Sequence, residues 1–239
     1  MGKCNDRRLT VDKVVPLERA LQLIHNGMTL MVGGFGGVGS PPTLIQGILD
    51  CEIKDLTVIA NDAGFPHIGV GRLITAGRVT RLIASHIGSN PVAGELMIDK
   101  QLQVEFSPQG TLAERIRAGG IGIPGFLTDI GIGTIAQDGK AWVQLNDTEY
   151  LLETALESEV SIVYAKRADH FGNLVYDKTA QNFNPLVAMA GRLTIAEADE
   201  IVPTGSLEPT YVATPGVFVD YVVQSEGVKW RWPWESMTK

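Results

Sequence analysis

The sequence predicts an α/β protein with a mostly parallel, open β-sheet flanked by helices. Short apolar, β-branched runs alternate with short amphipathic segments along most of the 239 residues. That alternation is the pattern of strand–crossover–strand units. The composition, 44% hydrophobic and 20% charged, is that of an ordinary globular chain. A chain of this length buries roughly 70–75% of its unfolded surface without needing disulfides or metals. No internal repeat or low-complexity linker interrupts the pattern, so residues 1–239 are expected to form a single domain with a C-terminal tail from about 226.

The elements follow in order. Pro16 opens a helix, "PLERALQLIHNG", in which Leu17, Ala20, Leu21, Leu23 and Ile24 share a face and Gly27 ends the run. "MTLMV" is a buried strand leading into a glycine-rich turn. Ser40 as N-cap and Pro41 in the first turn predict a helix over "PPTLIQGILD". "DLTVIAND" and "RVTRLIASH" are strands, "PVAGELMIDKQ" a helix, and "LQVEFSPQG" a strand leaving into a turn. Thr111 and Glu114 have capping-box spacing for a helix over "TLAERIRAGG". Six glycines and one proline between 119 and 133 predict an extended loop. "KAWVQLNDTEYLLE" is a hairpin with Asn146-Asp147 at its tip. The strand "VSIVYAKRAD", the turn "HFGNLVY", a helix near "NPLVAMAGR" and the strands "LTIAEAD" and "FVDYVVQS" complete the chain.

Charge and motif content exclude several classes of function. The net charge is −7 and no block of Lys or Arg stands out, so nucleic acid is not an expected partner. No run approaches the ~20 apolar residues of a membrane span. "MGKCNDRRLT" has no apolar signal region, and Asp6 stands where a myristoylation signal has Ser or Thr. The expectation is a cytoplasmic protein without a membrane partner. Cys4 and Cys51 form no disulfide or metal pattern, and His25, His67, His86 and His170 are scattered, so no metal is expected.

The turn "MVGGFGGVGSPP" carries the chemistry. It places five glycines in the seven positions 33–39. Gly34 to Gly39 fit G-x-G-x-x-G after a strand and before a helix, and Asp62 lies 23 positions beyond Gly39. That is the form of a dinucleotide fingerprint, with the acid on the ribose. Against it, Ser40-Pro41-Pro42 delays the helix until after the last glycine. The wider loop suits a ligand lying along bare backbone, with Phe35 projecting. A nicotinamide-dependent oxidoreductase and a sensor for a small phosphorylated effector both remain open on this pattern.

The flanks separate these readings. "NGMTLMVGGFGGVGSP", Asn26 to Pro41, closely resembles the signature of family I CoA-transferases, in their alpha subunit. Asn26, Gly27, Leu30, Met31, Val32, Gly33, Gly34, Phe35, Gly39 and Pro41 meet its defined positions. "LTVIANDAG", "GIGTIAQDGK", "FGNLVY", "QNFNPLVAMA" and "TPGVFVDYVV" are also similar to the family, in the right order. "ASHIGSNP" and "SPQGTLAERIRAGG" are most similar to the acetate, butyrate and acetoacetate enzymes.

The resemblance implies the CoA-transferase fold. It also implies ping-pong transfer of CoA from an acyl-CoA to a free carboxylate through a glutamyl thioester. The attacking glutamate of the family lies in a Ser-Glu-Asn-Gly segment of the beta subunit, which this chain lacks; Ser225-Glu226-Gly227 is a near-match without the Asn. No catalytic residue is therefore expected in this chain. Coenzyme A enters as substrate, no cofactor is permanently bound, and the expected partner is a beta subunit in an α₂β₂ assembly. By resemblance, Gly33, Gly34, Phe35, Gly36, Gly37, Val38 and Gly39 line the CoA site. Gln109, Gly110 and Gly120 are the expected substrate residues, and the loop 118–124 is expected to close over the acyl group. Asn182 and Asn184 are expected to form a turn. The Trp-rich stretch 229–235 is a candidate subunit contact or a docked tail.

Overall fold

Contiguous apolar runs such as Leu30-Met31-Val32 become strands covered on both faces. The computed structural model describes residues 12–232 and Glu235. α1 (Leu17–Leu21), β1 (Thr29–Val32), α2 (Pro42–Asp50), β2 (Leu56–Ile59), α3 (Gly71–Thr75), β3 (Val79–Ala84), α4 (Pro91–Ile98), β4 (Gln103–Phe106) and α5 (Gln109–Ile121) come first. The chain then builds a small sheet from β5 (Gly125–Thr128), β6 (Trp142–Leu145) and β7 (Thr148–Thr154). It returns as β8 (Ser158–Asp169), β9 (Leu174–Val175), α6 (Asn184–Ala190), β10 (Gly191–Val202) and β11 (Tyr221–Gln224).

The large sheet has the order β11-β10-β8-β1-β2-β3-β4, all parallel, with β9 antiparallel on β8. Successive strand residues face opposite sides. Leu30 joins Leu44, Ile45, Leu56 and Leu82 on one face, and Met31 joins Ile59, Leu112, Val163 and Val187 on the other. Helices on both faces explain why these strands show no polar alternation. β5, β6 and β7 form a separate antiparallel sheet in the order β5-β7-β6. Asn146 and Asp147 take φ of 49° and 61° at the predicted hairpin tip, the left-handed pair a two-residue hairpin turn needs.

Several expectations are corrected. The first helix stops at Leu21. Leu23 and Ile24 continue in tighter turns, their N–H groups donating to Ala20 and Leu21 carbonyls at 3.1 Å. α5 begins at Gln109 behind Pro108, so Thr111 lies inside the helix and forms no capping box. α5 also runs through Gly119 and Gly120 to Ile121, where a loop was expected. Tertiary packing overrides propensity here: a Cβ at Gly119 would lie 2.1 Å from the Leu156 carbonyl oxygen, and one at Gly120 would lie 2.7 Å from Met189 Cβ. The helix closes in a Schellman motif at Gly122, φ 76°, with the Ile123 N–H on Ala118 O at 2.9 Å. The segment 118–124 is thus a helix terminus and its exit, not a free lid. α3 and the strand β5 had no counterpart in the sequence reading.

Ser40 does not cap α2. Glu197 of β10, 0% exposed, does so from across the sheet. Its carboxylate accepts from Thr43 N at 2.9 and 3.0 Å, Leu44 N at 3.0 Å and Ser225 Oγ at 2.5 Å. Burial pushes the Glu197 carboxyl above its usual range, and the bonds from Ser225, Leu44 and Thr43 pull it back only in part. The folded chain therefore holds this proton more tightly than the unfolded chain does. The resulting stability is complete below the ordinary carboxylate pKa and is lost as pH rises through the raised folded value. Glu197→Gln is expected to flatten the dependence of the urea midpoint on pH above the ordinary carboxylate pKa, where the parent loses stability as pH rises. A slope equal to the parent's contradicts the assignment.

Candidate functional site

From β1 the chain proceeds to β2, β3 and β4 on one side, while β8, β10 and β11 fill the other. The carboxyl ends of β1 and β8 therefore mark the point where strand order reverses, the position at which open α/β sheets bind ligands. The glycine turn sits there. It is closed by paired bonds between Phe35 and Val38, N–H to O, at 2.9 and 3.0 Å.

A second turn of the same form follows β2. Gly64-Phe65-Pro66-His67-Ile68-Gly69 repeats the bridge between its Phe and its aliphatic residue, as Phe65 with Ile68. This short repeat was legible in the sequence and was missed. The two turns pack together: a Cβ at Gly37 would lie 2.3 Å from Ile68 Cγ2.

Close packing within the chain accounts for most of the glycines. A Cβ at Gly33 would lie 1.9 Å from Asn184 Oδ1. Gly34 is backed by Ser40 and Gly39 by the Ala180 carbonyl. The space beneath the turn is about 10 Å³, room for no more than one water. Only the outer side is open. Phe35 is 48% exposed, and nothing among the described residues lies within 4 Å of a Cβ placed at Gly36. Val38 and Gly39 are half-buried. The N–H groups of Gly34, Gly37 and Gly39 have no hydrogen-bond partner among the described residues.

Asn182 and Asn184 hold the turn rather than merely making one of their own. Asn184 accepts from Tyr164 N at 3.1 Å and donates to Gly39 O at 2.9 Å and Ala180 O at 2.8 Å. Asn182 donates to Val38 O at 2.9 Å. Gln109, exposed at the start of α5, belongs to the same site, its Nε2 donating to Asn61 Oδ1 at 2.9 Å. Gly110 stands beside it with open space around it. Gly120 does not join them: it lies at the far end of α5, eleven residues and about 16 Å along the axis, packed on α6.

The dinucleotide reading is not supported. Asp62 is engaged by Gly36 N at 2.8 Å, Gly64 N at 2.7 Å and Asn61 Nδ2 at 2.6 Å, which leaves no free acid for a ribose. Glu226, the near-match to a nucleophile, lies elsewhere. It is exposed, ion-paired to Lys229 at 2.5 Å, and borders a cleft of about 110 Å³ beside α2. The tail docks on the molecule. Trp232 carbons come within 3.2 Å of a Cβ placed at Gly37, and Trp230 stacks edge-on to Trp232 at 6.3 Å. Trp234 and Cys4 lie outside the described residues; Cys51 is exposed.

A cleft of about 960 Å³ lies between β4 and the small sheet and had no sequence signal of its own. Its charges pair internally: Glu105 bridges Arg81 at 2.7 Å and Arg115 at 2.9 Å, and Glu153 binds Lys140. Burial raises the Glu105 carboxyl, but Arg115 and then Arg81 outweigh it and hold it below its usual range. Among the described residues no three His, Cys, Asp or Glu side chains cluster as a metal site, and no helix is long and apolar enough to cross a membrane.

Comparison with known proteins identifies the family and the fold. The Coenzyme A transferase family profile matches residues 15–225. A probable coenzyme A transferase subunit alpha of Bacillus subtilis is 57% identical over 224 residues, covering 93% of this chain and 98% of that protein. The acetate CoA-transferase subunit alpha of Escherichia coli is 45% identical over 217 residues, covering 91% and 99%. The solved acyl-CoA transferase of E. coli O157:H7, a thioester complex with CoA, superposes with a TM-score of 0.82 at 25% identity. That alignment covers 90% of this chain and 47% of the solved one.

Gly33 and Gly36 make opposite predictions. Gly33→Ala must displace Asn184 and is expected to cost about 2–4 kcal/mol of stability in urea unfolding. Gly36→Ala meets no atoms and is expected to cost about 1 kcal/mol, for its left-handed φ alone. Equal costs at the two positions would contradict the packing described.

Proposed function

The chain belongs to the coenzyme A transferase family, and on that premise we propose how its site works. It is the alpha subunit of a two-chain CoA-transferase. It moves CoA between a short-chain acyl-CoA, of the acetyl, butyryl or acetoacetyl class, and a free carboxylate such as acetate. The acetate assignment draws on the E. coli acetate CoA-transferase subunit, 45% identical. We further propose a cytoplasmic α₂β₂ enzyme in which this chain forms one domain.

The observation that carries the reading is a glycine turn that is sealed behind and open in front, with no uncommitted carboxylate beside it among the described residues. Phe35 and Gly36 form the open edge, and Gln109 flanks it. Asp62, the acid under the turn, has both oxygens occupied. Free N–H groups of the turn suit the phosphates or amide carbonyls of coenzyme A. The nucleophile then comes from the companion subunit. Its glutamate attacks the thioester carbonyl, expelling CoA thiolate and leaving an acyl-glutamyl anhydride. The thiolate attacks the glutamyl carbonyl, releasing the first carboxylate and leaving a glutamyl-CoA thioester. The incoming acid reverses both steps. This chain binds and orients CoA and excludes water.

Co-expression with a companion beta chain tests this. Acetoacetyl-CoA consumption with acetate as acceptor is expected from the pair and not from this chain alone. Activity from this chain alone would overturn the split site. CoA or acetyl-CoA is also expected to raise the melting temperature of the pair, and NAD is not; the reverse result would defeat the reading.

A further inference from the structure

We propose that Asp62 is a positioning residue: through Asn61, its carboxylate fixes which end of the Gln109 amide faces the ligand. The inference deepens the function proposed above and rests on it for the identity of the ligand.

A carboxylate accepts hydrogen bonds and donates none. Its three partners here must therefore all be donors: Gly36 N–H, Gly64 N–H and the Asn61 amide nitrogen. Asp62 and Asn61 are 4% and 2% exposed, so no bulk water competes. Asn61 is also held through its backbone, its carbonyl accepting from Ser85 N at 3.0 Å and Ser85 Oγ at 2.6 Å. With its nitrogen committed to Asp62 at 2.6 Å, Asn61 can offer only its oxygen on the other side. That oxygen meets Gln109 at 2.9 Å. An amide oxygen only accepts, so Gln109 must present its nitrogen inward.

The consequence lies at the mouth of the site. Gln109 Oε1 is left facing outward as an acceptor. Without the relay the amide has two orientations of nearly equal shape. With it, the same carboxylate that pins Gly36 also presents a carbonyl oxygen beside the turn. The ligand group that this oxygen recognises is an amide N–H, the donor that the pantetheine arm of a CoA thioester carries. Such a contact is made equally in the ground state and the transition state, so its loss raises KM and spares kcat.

The test uses the two-chain enzyme. Asp62→Asn keeps the shape and lets the relay run in either direction. It is expected to raise KM for the CoA thioester about tenfold, change kcat less than twofold and leave KM for acetate alone. In a Gln109→Met background, Asp62→Asn is expected to add less than twofold to KM. A tenfold effect in both backgrounds, a loss confined to kcat or an unchanged KM would overturn the relay.

Stability reads the same relay without substrate. Gln109→Glu sets a carboxylate against Asn61 Oδ1 and is expected to lower Tm by about 2 °C. Beside Asp62→Asn, where Asn61 can turn its amide round, the drop is expected to fall below about half of that. Equal drops in both backgrounds would refute the relay. A wild-type pair that transfers no CoA would refute the proposed function and leave this stability test standing.

Discussion

Everything at the site depends on the side chain that Gly33 lacks. Asn184 fills the space where a Cβ would stand and from there ties together Tyr164 of β8, Gly39 of the turn and Ala180 ahead of α6. β1 and β8 are neighbours on either side of the reversal in strand order. The asparagine therefore fastens the ligand turn to the half of the sheet that the chain builds last. The second turn, after β2, presses from the other side through Ile68, and Asp62 pins Gly36 from below. A loop with five glycines would be floppy in isolation; here its freedom is removed by neighbours, not by its own sequence.

This packing sorts the glycines by role. Gly33, Gly34, Gly37 and Gly39 make room for the protein itself, so their rationale is internal. Gly36, with Phe35 beside it, is the open edge. In the proposed reaction that edge and Gln109 bind and orient the coenzyme, and the companion chain carries the covalent chemistry. A stiff platform suits that division of labour, because a turn held on three sides loses little further entropy on binding.

The sequence showed what is local. Strand periodicity, the Asn146-Asp147 hairpin and the density of glycine at 33–39 were readable because each is set within a few residues. What it hid is long-range. The α2 cap is Glu197, 154 residues away from Thr43, whereas local capping preference points to Ser40. Gly119 and Gly120 looked like loop residues because their reason, contact with Leu156 and Met189, appears only after folding. Asn182 and Asn184 had the composition of a simple turn, while their donors reach back about 144 residues to the glycine loop. One signal that was local, the second Gly-Phe turn at 64–69, was also missed.

The central claim is that coenzyme A lies on the open face of the glycine turn. Hydrogen–deuterium exchange on the two-chain enzyme, with and without a CoA thioester, tests it most directly. The account predicts strong slowing of the amides of Gly34 to Gly39, with no comparable change in the helix terminus at 118–124. Protection appearing in the charged cleft beside β4, with the turn unchanged, would contradict it.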